Sequence, residues 1–192
     1  MNRTFLLILD RARTDSEFTV NGAANNGRLD IGCRFINSSL FNSYSLRTDV
    51  EAHLLLRGPP RESLHLMFRG EEINGLHPDE RSIAGYIKKN ISSFENRGVT
   101  ANQGVSIDKR GLEEIIEDHE GVPILLKEDS EDISSFESDK TPFFVIGDNK
   151  GLKDKDMDLI EEKGGKRLSL GEESYQAQQV VSYLNIFMDR NG

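Results

Sequence analysis

Apolar positions along the chain follow two spacings, short continuous runs and repeats every three to four residues. Continuous runs bounded by turn residues indicate buried β-strands, and the wider spacing indicates amphipathic helices. The continuous runs predict strands at residues 4–9, 49–56, 64–68, 122–126, 143–146 and 167–168. The wider spacing predicts helices at residues 28–41, 108–117 and 155–163, one that opens at residues 78–80, and a last one through residue 188. Because the two kinds of element alternate, we predict an α/β fold, a mostly parallel sheet with helices on both faces.

Three stretches with neither spacing are predicted to be loops. Residues 14–26 lead into the small, polar run GAANNG at residues 22–27, and residues 94–105 connect one helix to the next element. Residues 129–139 are acidic and rich in serine, which is typical of a solvated loop rather than of a binding site.

Length and composition predict one ordinary domain spanning residues 1–192, with 36% hydrophobic and 30% charged residues. No stretch approaches the roughly 20 apolar residues that a membrane span needs. The first apolar run is short and bounded by charge, unlike a signal peptide. We therefore expect a cytoplasmic protein without a membrane segment. The single cysteine, Cys33, excludes an internal disulfide and argues against structural zinc, so we expect no metal.

The charge of the chain leaves nucleic-acid binding undecided. The formal net charge is −9, whereas proteins that bind through phosphates present a basic surface. The acidic residues concentrate at positions 113–137 and 154–162, however, so a basic face on an acidic protein remains open. The segment from residue 28 to residue 89 carries Arg28, Arg34, Arg47, Arg57, Arg61, Arg69, Arg81, Lys88 and Lys89.

Two predicted strands near the C-terminus are each followed by a glycine-containing turn. The first is FFVIGDNKG at residues 143–151, and the second is KRLSLG at residues 166–171. Ligands of open α/β sheets sit beyond the carboxyl ends of strands, and glycine lets the backbone approach them. Two such turns can form two walls of one pocket, with backbone groups for adenine-type hydrogen bonds, although a GD turn alone is equally compatible with a plain connection. The chain has no Rossmann GxGxxG fingerprint and no P-loop motif, which disfavours both classes.

Two helix openings carry charged residues that have both a functional and a plain interpretation. GRLD at residues 27–30 places Arg28 and Asp30 at the start of a helix. Asp30 is either a site residue or a partner of the helix dipole, and Arg28 is either a ligand-binding group or a surface charge. The plain interpretation of DERSIA at residues 79–84 is capping and an intrahelical ion pair.

Taken in order, five motifs of the chain resemble those of one enzyme family. The chain is similar, almost from end to end, to the archaeal tRNA pseudouridine-54 N1-methyltransferases of the SPOUT superfamily. That resemblance implies a C-terminal trefoil knot, bound S-adenosyl-L-methionine (SAM), a tRNA substrate and a homodimer with each site near the subunit interface. The motifs are GRLD at 27–30, RTDV at 47–50, PDERSIAGYIKK at 78–89, FVIGD at 144–148 and RLSL at 167–170.

The resemblance also assigns site residues to this chain. It implies that Arg28 and Asp30 face the target nucleoside. Val180 stands where the family has a cysteine in the final helix, and Gly171-Glu172 stands where it has Ser-Pro. The SAM-binding residues that it implies are Leu126, Gly147, Leu168, Ser169, Leu170, Gly171, Glu172, Glu173 and Val180.

The function that the resemblance implies is methyl transfer from SAM to N1 of a pseudouridine in the T-loop of tRNA. Asp30 is the candidate to accept or polarise the N1 proton, and Arg28 the candidate to hold a phosphate or a uracil oxygen. Two alternatives stay open. One is a methyltransferase with a different RNA target, such as a ribosomal pseudouridine. The other is a non-catalytic RNA-binding paralogue, which a titration with SAM would distinguish from the enzymes.

Overall fold

Residues 2–137 and 140–191 are described by the computed structural model, and within them seven strands form one sheet. The strands are β1 Arg3–Leu9, β2 Val50–Leu56, β3 Leu64–Arg69, β4 Val105–Asp108, β5 Val122–Asp132, β6 Pro142–Ile146 and β7 Lys166–Ser169. Their order across the sheet is β4-β3-β2-β1-β6-β5-β7. The pairs β1–β2, β1–β6, β5–β6 and β5–β7 are parallel, and β2–β3 and β3–β4 are antiparallel. The predicted mostly parallel sheet is therefore confirmed, with an antiparallel extension at one edge.

Helices cover both faces of the sheet, as the alternating pattern predicts. In the described residues they are α1 Leu29–Leu40, α2 Glu80–Arg97, α3 Leu112–Asp118, α4 Asp154–Glu162 and α5 Ala177–Asn191. α1, α2 and α5 bury their apolar sides against one face, and α3 and α4 against the other, so the core has two layers. β1 lies in the middle, and all seven of its residues are buried. No helix of the described residues combines the length and the apolar character needed to cross a membrane.

α2 extends further than its apolar stripe predicts. The side chain of Asp79 accepts a 2.8 Å hydrogen bond from the backbone N–H of Ser82 and caps the first turn. The helix runs to Arg97 and ends at Gly98, whose positive φ of 71° suits glycine. The prediction of a loop from residue 94 was therefore wrong for its first turn, which the tertiary packing of α2 keeps helical.

The segment before α3 was also assigned incorrectly from the sequence. The sequence pattern predicted a helix at 108–117, but Val105–Asp108 forms the edge strand β4, and α3 begins at Leu112. Asp108 is fixed there by His65 of β3, whose Nδ1 lies 3.2 Å from its carboxylate. The strand alternates buried and half-buried positions. In a segment of only four residues this alternation is recognised as a strand only when the pairing with β3 is known.

The acidic stretch after residue 126 is partly a strand. β5 continues to Asp132 because β7 pairs with it twice, so that Leu168 lies opposite both Leu126 and Glu131 across an irregularity. A short 3-10 helix, Ile133–Ser135, follows. Positions 138–139 of the predicted acidic loop lie outside the described residues. The other predicted loop, 14–26, contains the 3-10 helix Val20–Asn25.

Candidate active site

A cavity of about 960 Å³ opens beyond the carboxyl end of β6 and beside residues 125–128 of β5. One wall is the loop 147–151 after β6. A second is the loop 170–176 after β7, continued by the first residues of α5, and a third is the start of α1. Ligands of parallel α/β sheets bind at this edge, where successive strand ends converge. The two glycine-containing turns therefore share one cavity, as the sequence predicts.

Gly147 is required by the fold of its own loop. A Cβ at this position would lie 2.3 Å from the carbonyl carbon of Gly151 and 2.5 Å from the nitrogen of Leu152. The loop folds back on itself because Asp148 and Gly151 form a bridge, and because the Asp148 carboxylate accepts a 2.8 Å hydrogen bond from the Lys150 N–H. The sequence suggested that glycine admits a ligand. The structure adds a second reason for glycine: without a side chain at Gly147, the backbone of Gly151 and Leu152 can pack against it.

The loop after β7 is fixed by Ser169. Its hydroxyl lies 3.1 Å from the carbonyl oxygen of Glu128 and accepts a 3.0 Å hydrogen bond from the Gly171 N–H. The side chain therefore faces β5 and not the cavity. Gly171, with a φ of 111°, turns the chain so that the following residues border the cavity.

A left-handed turn brings Arg28 to the cavity. Gly27 has a φ of 67°, and a Cβ there would overlap the backbone carbonyl of Arg11, so this close approach needs glycine. Arg28 also has a φ of 67°, and among the described residues it is the one non-glycine residue with a positive φ. Such a conformation costs on the order of 1–3 kcal/mol and clusters at functional sites. The turn ends at the N-terminus of α1, with Arg28 on the cavity wall.

Asp30 binds two arginines and is itself almost fully buried, at 4% exposure. Its Oδ1 accepts a 2.9 Å hydrogen bond from Nε of Arg28, and its Oδ2 accepts hydrogen bonds from Nη2 of Arg28 at 3.1 Å and from Nη2 of Arg34 at 2.5 Å. Burial raises the pKa of this carboxyl, but the hydrogen bonds from Arg28 and then Arg34 outweigh it and hold the pKa below its usual value. Asp30 is therefore ionised, with both oxygens engaged.

The structure brings most of the predicted site residues together. Asp30 lies behind Arg28, Leu168 is buried in the core, Ser169 faces β5, and Glu172 is exposed away from the wall, so these four do not border the cavity. Those that border it are Arg28, Leu126, Gly147, Leu170, Gly171, Glu173 and Val180.

The wall includes further residues. Asp148 and Asn149 belong to the glycine-containing turn predicted from the sequence but were not assigned individually, and Gln176 and Gln178, where α5 begins, were missed. The most informative is Arg34, because it lies one helical turn after Asp30, a spacing that places two residues on one helix face. Within the described residues, no group of three or more His, Cys, Asp or Glu side chains is arranged to hold a metal ion.

Comparison with known proteins shows the family to which a chain with this fold and this cavity belongs. The chain belongs to the family described as "Putative SAM-dependent RNA methyltransferase", whose model matches residues 2–192. The family resemblance inferred from the five motifs is thereby confirmed.

Its relatives carry a more specific name. The tRNA (pseudouridine(54)-N(1))-methyltransferase of Methanocella arvoryzae is 36% identical over 195 residues, which cover 98% of this chain and 99% of that protein. The protein of the same name from Methanococcoides burtonii is also 36% identical, over 98% of this chain and 96% of that one. Among solved structures, Archaeoglobus fulgidus Nep1 bound to S-adenosylhomocysteine matches 99% of this chain and 98% of its own, with a TM-score of 0.66. At 17% sequence identity, that likeness shows the fold alone.

Proposed function

We propose that this protein transfers a methyl group from SAM to N1 of pseudouridine 54 in tRNA. The observation that carries the proposal is the cavity, which is lined by two backbone loops at strand ends and by an arginine pair near the start of a helix. The family description and the names of the relatives at 36% identity support the same reaction.

The residues of the cavity fit a nucleoside cofactor. Its volume of about 960 Å³ lies within the range of roughly 300–1,000 Å³ that small-molecule sites show. Loops 147–151 and 170–176 would offer backbone N–H and C=O groups to adenine and ribose, and Leu126 and Val180 would supply apolar contacts. SAM would supply an electrophilic methyl group. On its transfer to N1 the sulfur would keep the electron pair of the broken C–S bond, and the N1 proton would leave to water.

Arg28 and Asp30 act on the RNA side of this site. Arg28 contacts the target nucleotide, since it reaches the wall and its Nη1 hydrogens are not used by Asp30. The sequence suggested Asp30 as the acceptor of the N1 proton. A carboxyl with a lowered pKa and two engaged oxygens is a weak base, so we assign to Asp30 the positioning of Arg28. Catalysis then depends mainly on orientation of the two reactants.

We further propose that two copies pair through α5 and that the C-terminal segment forms a trefoil knot. Tyr183 and Ile186 are 48% and 58% exposed on α5, and the Tyr183 ring stacks on that of Phe187 with 6.2 Å between centroids. Exposed apolar groups on one helix favour an interface. The knot rests on the family likeness. A single domain and a cytoplasmic location, where tRNA is available, complete the proposal.

Methylation of defined RNA tests the reaction. Purified protein is incubated with labelled SAM and tRNA that carries pseudouridine or uridine at position 54, and digested nucleosides are analysed by mass spectrometry. We expect close to one methyl group per tRNA with pseudouridine and none with uridine. A ribosomal RNA fragment with pseudouridine tests the alternative target. If the protein binds SAM but methylates no pseudouridine in either RNA, the proposed reaction is wrong.

A further inference from the structure

Arg34 has no role in the reaction as described so far, although it borders the cavity. It lies on α1, and 38% of its side chain is exposed. Its position on the wall, together with that of Arg28, brings two guanidinium groups to the cavity that the two backbone loops also line. The question is what the second of these groups binds.

Two carboxylates from two helices orient the guanidinium of Arg34. Nη2 donates a 2.5 Å hydrogen bond to Oδ2 of the buried Asp30, and Nη1 lies 3.6 Å from Oε2 of Glu80 in the first turn of α2. The contact with Glu80 is long, and 46% of the Glu80 side chain is exposed, so water screens it. Arg34 is therefore aimed by its partners without being fully bound by them.

The donor count of Arg34 leaves hydrogens for a ligand. A guanidinium has five N–H groups. One of them is used by Asp30, and Glu80 approaches one more at long range. Nε is buried and has no hydrogen-bond acceptor among the residues that the structure describes. The hydrogens that a ligand can reach are therefore those of Nη1 and the second hydrogen of Nη2, because the buried Nε is closed to solvent.

We propose that Arg34 is a second RNA-binding residue of the cavity, which contacts a phosphate oxygen beside the target nucleotide, and that Glu80 is its positioning residue. The inference rests on the proposed function and names a further contact of the same site. A guanidinium fork matches phosphate oxygens in a bidentate geometry. On a chain of net charge −9, Arg28 and Arg34 are two of the cationic side chains that line this cavity, together with Lys127 and Lys150.

The proposal also gives a role to Glu80 of the motif PDERSIA, which the capping of α2 by Asp79 does not explain. Asp79 caps α2, and the side-chain amide of Asn37 donates a hydrogen bond to the carbonyl of Pro78, so the start of α2 is fastened to α1. Glu80 then lies next to Arg34. The start of α2 thus reaches the cavity through a chain of contacts from Glu80 to Arg34 to Asp30.

Binding measurements test this assignment without relying on methylation. Arg34→Ala, Arg34→Lys and Glu80→Gln are compared with wild type by fluorescence anisotropy with tRNA that carries pseudouridine 54, at several salt concentrations. SAM affinity by calorimetry and the midpoint of thermal unfolding are measured on the same samples. Arg190→Ala is the matched control, since it removes one exposed arginine from α5 about 20 Å beyond Ala177 at the cavity.

For Arg34→Ala we expect RNA affinity to fall about tenfold and the slope of log K against log salt to become shallower by about 0.7–0.9, the value for one phosphate contact. Arg34→Lys should recover part of the affinity, and Glu80→Gln should weaken binding by about threefold with a changed slope at unchanged thermal stability. Arg190→Ala should match wild type.

Equal RNA affinity and salt slope for Arg34→Ala and wild type would overturn the proposal. So would a loss of SAM affinity with unchanged RNA binding, because Arg34 would then bind the carboxylate of the cofactor. Failure of the wild type to methylate tRNA would refute the proposed reaction, while the binding data would still decide the role of Arg34.

Discussion

Arg28 and Asp30 form a bidentate ion pair across a single intervening residue, with Nε 2.9 Å from Oδ1 and Nη2 3.1 Å from Oδ2. The pair bridges a left-handed backbone at Arg28 and the first turn of α1. Because the side chain of Asp30 is buried, the guanidinium has a fixed anchor and not a mobile surface partner. The strained turn and the ion pair together determine where Arg28 meets the cavity.

Replacing Asp30 with asparagine should separate positioning from proton transfer. Asp30→Asn keeps the shape but removes the charge that holds Arg28 and Arg34. We expect RNA affinity to fall about tenfold and the single-turnover methylation rate to fall with it, measured by anisotropy and rapid quench. A rate lower by about 10²-fold at unchanged RNA affinity, with an altered pH–rate profile, would instead show that Asp30 is the base.

Gly147→Ala should damage the cofactor loop. The added methyl group would clash with the backbone of Gly151 and Leu152, so we expect at least a tenfold loss of SAM affinity by calorimetry. Gly85→Ala is the control, because a Cβ at this position of α2 meets nothing within 4 Å. It should leave SAM binding unchanged and stabilise the helix by about 0.5–1 kcal/mol. Equal SAM affinity in the Gly147 variant would remove the loop from the site.

The assembly prediction concerns the exposed side of α5. Ile186→Asp places a charge in the proposed interface and should shift the protein from about twice 21.6 kDa to a monomer of 21.6 kDa in light scattering at micromolar concentration. Val99→Asp is the matched control, since Val99 has the same exposure of 58% at the end of α2. A monomeric wild type, or a dimer that Ile186→Asp leaves intact, would contradict the proposed pairing.

A buried histidine pair should make stability sensitive to acid. His53 Nδ1 lies 3.0 Å from His65 Nε2, and His65 Nδ1 lies 3.2 Å from the carboxylate of Asp108. Burial lowers the pKa of His53 to about 4, although Glu51 acts in the opposite direction. Burial raises the pKa of Asp108, but the hydrogen bonds from His65 and Arg110 outweigh it and hold that pKa below its usual value.

The sign of the effect follows from the protonation of each state. The unfolded chain protonates His53 below about pH 6.5, whereas the folded protein resists protonation down to about pH 4. Stability is therefore complete above pH 6.5 and is lost as the pH falls toward 4, by about 2 kcal/mol at pH 5. Urea unfolding at pH 7.5 and pH 5 measures it. His53→Gln, which cannot titrate, should show a smaller difference, and an equal difference would exclude His53 as the source.

Local sequence patterns predicted those strands and helices whose burial follows a regular pattern along the chain. β1 is buried along its whole length, and its apolar run identified it at once. β4 and the end of β5 were missed because they are strands through their pairing with β3 and β7. Their own residue types do not indicate that pairing. Edge strands and acidic strands depend on their neighbours more than on propensity.

The sequence by itself determined the α/β alternation, the two glycine-containing turns and the position of Arg28 at a helix start, because spacing and turn chemistry act over a few residues. Only the tertiary structure decided which side chains of those turns face the cavity, as when Ser169 turns to Glu128 and leaves Leu170 on the wall. It also decided that Glu80 meets Arg34. Such contacts join residues far apart in the chain, and they depend on how whole helices pack on the sheet, which no local spacing specifies.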